Sequence, residues 1–131
     1  MCFVLLVEDN PTFRKSLKDM LAFRFPGLEI EEASNGEEAL QKLENTYPDL
    51  VFMDIRLPGK NGLELTKIIK KAKADVEVVI LTSYDIPEYR TAAFSSGASH
   101  FFTKGDAGSD EIANCVKSIF EQRGKNPESL H

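Results

Sequence analysis

Five side chains carry the chemistry this sequence could perform: Glu8, Asp9, Asp54, Thr82 and Lys104. Each closes a short apolar run, in FVLLVED, LVFMD, VVILT and HFFTK. Three carboxylates brought together repel one another unless a cation sits between them. Mg2+ suits such a set, because it is hard and takes oxygens from one or two carboxylates, waters and a phosphate. Lys104 would add a compact charge for one phosphate oxygen, and the Thr82 hydroxyl could donate to another. The set fits a carboxylate that becomes phosphorylated, since aspartate can be the nucleophile in covalent phosphoryl transfer. Asp54 is the candidate, standing alone between the acidic pair and the Thr/Lys pair.

These groups meet only if the runs are strands that all point one way. Apolar, β-branched runs at 3–8, 28–33, 49–54, 76–82 and 99–104 alternate with stretches of helical period at 11–23, 36–45, 62–71, 87–96 and 110–122. Pro11 after Asn10 fits a first helical position, where a missing N–H costs nothing. Ser34 or Asn35 could cap the second helix, and Gly97 could end the fourth. VEVVILT is apolar almost throughout, as a strand covered on both faces requires. Strict alternation predicts an α/β fold: a doubly wound, five-stranded parallel sheet with helices on both faces. The carboxyl ends of its strands would then share one rim, where ligands of such sheets bind.

Composition narrows the function. The chain has 131 residues, the length of one domain, and we expect that domain to span 1–122. The polar segment 123–131, RGKNPESLH, reads as a linker or disordered tail. Sixteen basic against 21 acidic residues give a net charge of −5, which argues against direct grip on nucleic-acid phosphates. No apolar run approaches the ~18–20 residues that span a bilayer, and the start lacks a basic leader, so a cytoplasmic location is expected. Cys2 and Cys115 are too few for a disulfide framework, and Cys115 shares a helix face with Ile112 and Ile119 as a core residue. His100 and His131 have no base nearby in sequence and are poor site candidates. KIIKKAKAD at 67–75 reads as a solvated helix face.

Glu8-Asp9, Asp54 followed by Pro58 and Gly62, Thr82-Ser83, and Lys104 together resemble the receiver domain of bacterial two-component response regulators. The match covers about residues 3–122 in order and spacing. VFMDIRLPGKNGLEL, VVILTSYD and SSGASHFFTKGD look most like the LuxR/NarL-type branch, in which a receiver precedes a helix-turn-helix domain. The resemblance implies the flavodoxin-like strand order 2-1-3-4-5 and Asp54 as phosphoacceptor. It implies Mg2+ held by Asp9, Asp54 and the Arg56 backbone carbonyl, with Glu8 acting through water. Thr82 and Lys104 would hold the phosphoryl group, and Thr82 with Phe101 would form the switch, the aromatic turning inward as the threonine moves. The implied partners are a sensor histidine kinase or phosphotransfer protein, a second copy on phosphorylation, and DNA through a further domain. The pattern departs at Gly105, where many receivers carry proline.

Other readings use the same fold. A stand-alone regulator would act on a protein target. A phosphatase with an aspartyl nucleophile usually needs an acid two residues on, where Arg56 stands. A flavin module would need a phosphate cradle where Glu8 and Asp9 would repel phosphate.

Overall fold

The computed structural model describes residues 2–128. In chain order the elements are β1 (Cys2–Val7), α1 (Pro11–Arg24), β2 (Leu28–Ala33), α2 (Gly36–Asn45), β3 (Leu50–Met53), α3 (Gly62–Ala72), β4 (Glu77–Thr82), α4 (Pro87–Ser95), β5 (His100–Thr103) and α5 (Ser109–Gln122). The strands form one parallel sheet in the order β2-β1-β3-β4-β5, the doubly wound architecture expected from the alternation of periods.

The strand period of two sorts the core into two layers. Val4 and Leu6 of β1, Leu50 and Phe52 of β3, and Val79 and Leu81 of β4 point to the face covered by α1 and α5. Their neighbours Leu5, Val7, Val51, Met53, Val78 and Ile80 point to the face covered by α2, α3 and α4. Successive side chains of a strand point to opposite faces, so a sheet covered on both sides needs unbroken apolar runs. Cys115 lies in the first layer beside Ile112 and Ile119. Burial raises its thiol pKa to about 11.

Three helices begin at the strands' carboxyl ends with an asparagine cap. Asn10 accepts from the Thr12 and Phe13 amides, Asn35 from Glu38 and Asn61 from Glu64. Each cap is worth ~1 kcal/mol and fixes where the preceding loop turns. Pro11 occupies the first turn of α1, as expected.

Two lysines of the 67–75 stretch are more than a solvated face. Lys70 Nζ donates to the Ala74 and Val76 carbonyls, and Lys73 Nζ to those of Leu43 and Thr46. Lys73 thereby satisfies carbonyls that the end of α2 leaves without helical partners, and Lys70 ties down the loop into β4. After α5 the chain does not run straight out. Gly124 adopts φ +70, and the Lys125 amide reaches back to the Phe120 carbonyl at 2.9 Å. His131 lies outside the described residues. No helix among those described is long and apolar enough to cross a membrane.

Candidate functional site

Register brings the five side chains to one rim. β3 pairs with β1 through Val7 and Met53, and with β4 through Met53 and Ile80. The Asp54 amide extends the first ladder to the Val7 carbonyl at 3.1 Å, and the Glu8 amide bonds the Ala33 carbonyl at 3.0 Å. Glu8 and Asp54 thus sit one residue past neighbouring strands. The Lys104 amide donates to the Thr82 carbonyl at 2.8 Å, which fixes the start of the last loop against β4.

The Lys104 ammonium lies 3.0 Å from Asp54 Oδ2 and 2.5 Å from Glu8 Oε1. Carboxylate oxygens of Glu8, Asp9 and Asp54 all fall within 4.8 Å of one another. Glu8, Asp54 and Thr82 are buried, whereas Asp9 is open to solvent. Burial raises the Glu8 pKa above the usual carboxylate range, and the nearby Asp54 charge adds to this against the pull of Lys104 and the Asn10 amide. For Lys104 burial works against the charge, but the hydrogen bonds it donates to Glu8 and Asp54 outweigh it and leave its pKa raised.

One ammonium does not satisfy this set of acids. Asp54 Oδ1 is buried and has no hydrogen-bond partner, the single such side-chain atom among the described residues. An unpartnered buried carboxylate oxygen is costly unless something outside the protein meets it. Three carboxylates supplying hard oxygen donors beside that atom fit a small divalent cation such as Mg2+.

Several residues that build the site left no mark in the motif. Phe13 on α1 places its ring under the Lys104 ammonium, 4.4 Å from the centroid, a contact worth ~0.5–2 kcal/mol. Arg14 ties down the acidic loop, its Nη1 2.6 Å from the Glu8 carbonyl and its Nε 3.1 Å from Glu32 Oε1. The Asn10 amide donates to Glu8 Oε2 at 3.0 Å. The first turn of α3 presses on the backbone of Asp54, because a Cβ built on Gly62 would fall 1.9 Å from the Asp54 carbonyl oxygen. The signal available in sequence was the helical spacing from Asn10 to Phe13 and Arg14, which turns both side chains back toward the loop.

Around this centre the other expected residues take distinct places. Thr82 accepts a long 3.4 Å bond from the Tyr84 amide at Oγ1. Phe101 is already packed in the core, with the Arg90 guanidinium 4.7 Å from its ring centroid. The inward turn expected of this ring therefore has no exposed starting position here. Arg56 extends across the rim, over the Tyr84 ring at 4.4 Å and 3.2 Å from the Tyr89 hydroxyl. Its side chain supplies no acid in the place where a phosphatase would need one. Gly105 sits in a turn closed by the Asp106 and Ala107 amides on the Thr103 carbonyl, and no peptide bond among the described residues is cis. His100 stacks on Phe102 away from the acids' motif, its Nδ1 3.1 Å from Ser99 Oγ.

Comparison with known proteins gives a consistent picture. Residues 4–117 match the family model described as a response regulator receiver domain. The chain is 35% identical over 130 residues to the response regulator GacA of Pseudomonas viridiflava, covering 98% of this chain and 60% of that protein. It is 34% identical to the transcriptional regulatory protein LnrK of Bacillus subtilis, covering 91% of this chain and 54% of that one. It therefore spans little more than half the length of these relatives. Among solved structures it resembles the response regulator TrrA of Thermotoga maritima, determined in complex with Mg2+ and BeF. The TM-score is 0.80 at 39% identity, over 91% of this chain and 99% of that one.

Proposed function

The chain belongs to the response regulator receiver family, and from that premise we propose that it is a phosphorylation switch whose phosphoacceptor is Asp54. The observation that carries this reading is the position of Lys104, 3.0 Å from one Asp54 oxygen while the other oxygen is buried and unpartnered. A structural aspartate would have both oxygens met.

Glu8, Asp9, Asp54 and the Arg56 backbone carbonyl would hold Mg2+. Bound there, the ion supplies positive charge against the anionic phosphoryl group. A carboxylate oxygen of Asp54 attacks phosphorus, and the bond to the leaving nitrogen of a phosphohistidine breaks. The electron pair stays on the imidazole, and Asp54 becomes a mixed anhydride of carboxylic and phosphoric acid. Lys104 meets the new group's oxygens as a point charge from where it already stands. Thr82 gives up its weak contact with the Tyr84 amide and donates its hydroxyl proton to another oxygen.

Moving a switch from ~1% to ~99% active takes ~5.5 kcal/mol of differential stabilisation. A dianionic group drawing several charge-assisted hydrogen bonds can supply most of it. With Phe101 already buried, the change passes to α4 and β5 through Thr82, whose carbonyl anchors Lys104 and whose hydroxyl faces Tyr84. Arg56 and Tyr84 cover the approach of water, so Tyr84→Ala should change the rate at which the acyl phosphate is lost. An unchanged rate would remove them from that role.

The donor is a sensor histidine kinase or phosphotransfer protein, and the output is transcription, as the name of the transcriptional regulatory protein LnrK suggests, through a further helix-turn-helix domain. Dimerisation on phosphorylation would serve such an output, with DNA contacted by that further domain. We place the protein in the cytoplasm and read it as a signalling domain rather than an enzyme acting on external substrates. Incubation with acetyl phosphate and Mg2+ tests the chemistry: intact mass should rise by about 80 Da, and Asp54→Ala should show no gain.

A further inference from the structure

The opposite rim of the sheet holds a second buried acid. Asp49 precedes β3 and is 4% exposed. Its Oδ2 accepts from the Phe3 amide at 2.9 Å. Its Oδ1 meets two cations that both follow α5, Arg123 Nε at 3.1 Å and Lys125 Nζ at 2.6 Å. Arg123 also donates from Nη1 to the Asp75 carbonyl at 2.7 Å. Two residues past Lys125, the Pro127 carbonyl accepts from the Gly27 amide at 2.9 Å, and Pro127 is buried. Glu128 ends the path beside α5, 3.8 Å from Lys117 Nζ.

We propose that residues 123–128 form a docked strap latched by Asp49, so that the chain leaves the domain in a fixed direction at the amino-terminal rim. The segment reads as a linker by composition, yet it is fastened to Asp49 and Gly27 at the floor of the sheet and to Phe120 and Lys117 of α5. A carboxylate this buried is stable only when its charge is matched, and the strap brings both matching cations. Gly124, at φ +70, makes the reversal that aims Arg123 and Lys125 at the acid. The Gly27 amide gives the strap a second fastening on the loop between α1 and β2. A rotation of α5 is then carried into whatever follows Glu128, where a flexible segment would absorb it. Asp54 and the strap lie at opposite ends of β3, so the latch takes no part in the phosphoryl chemistry.

Amide hydrogen exchange on the whole chain tests this directly. The Gly27 amide and the backbone of 123–128 should exchange at least tenfold more slowly than in a peptide of the same sequence. The double substitution Arg123→Gln with Lys125→Gln should remove most of that protection while exchange in β1 and β4 stays slow. Asp49→Asn should do the same if the variant folds, and the double variant carries the test if it does not. Unprotected exchange at Gly27 and 123–128 in the parent would overturn the proposal. So would protection that survives the double substitution.

Discussion

One strand carries a buried aspartate at each end, and the two differ in one respect. Asp49 and Asp54 flank LVFM and are 4% and 6% exposed. Asp49 has an amide on one oxygen and two cations on the other. Asp54 shares one ammonium with Glu8 and leaves Oδ1 unmet. Burial does not separate the structural acid from the proposed phosphoacceptor. The count of partners does: a saturated carboxylate has nothing left to bind with, and an unsaturated one beside other acids is held ready for a cation and an electrophile.

Exchanging the two roles by mutation is the strongest way to break this contrast. Asp54→Ala should abolish phosphorylation by acetyl phosphate and leave the unfolding free energy almost unchanged, since it removes one of three crowded acids. Asp49→Ala should do the reverse. It strands the Phe3 amide and two cations and should cost about 2–4 kcal/mol in urea unfolding, with phosphorylation retained. The lower end of that range applies because Arg123 and Lys125 reach solvent. A smaller effect sharpens the picture of the reactive rim. Gly62→Ala forces a methyl toward the Asp54 carbonyl and should cost about 1–3 kcal/mol while slowing phosphorylation. An alanine variant that is as stable and as quickly phosphorylated as the parent would show that this approach is not needed. Smallest of all, Cys115 should react with a thiol reagent at pH 8 far more slowly in the folded protein than in urea. Its pKa of about 11 leaves little thiolate to attack.

Periodicity made the fold legible. Runs such as VEVVILT admit one reading when every residue must be covered, and strand limits fell within about a residue of expectation. The clustering of the acids was legible for a related reason: a parallel sheet sends all carboxyl ends to one rim, so position along the chain stood for position in space. What was hidden depends on pairs far apart in sequence. Asp49 stood only as the first residue of the 49–54 run, and its cations arrive 74 and 76 residues later. Nothing local in RGKNPE marks residues 123–128 as a strap. Phe13 packs partly buried against the core on α1, but its contact under Lys104 needs the last loop in place. Phe101 was expected to turn inward, and a short strand gives no sign of which way a ring already faces.

The most direct test converts the phosphorylated residue into a permanent label. Borohydride reduces an aspartyl phosphate, as a mixed anhydride, to homoserine, and peptide sequencing by mass then finds the residue. After acetyl phosphate and Mg2+, homoserine should appear at position 54 and nowhere else, Asp49 and Asp9 included. Homoserine at another aspartate, or none in a protein that has gained phosphate, would contradict the assignment of Asp54.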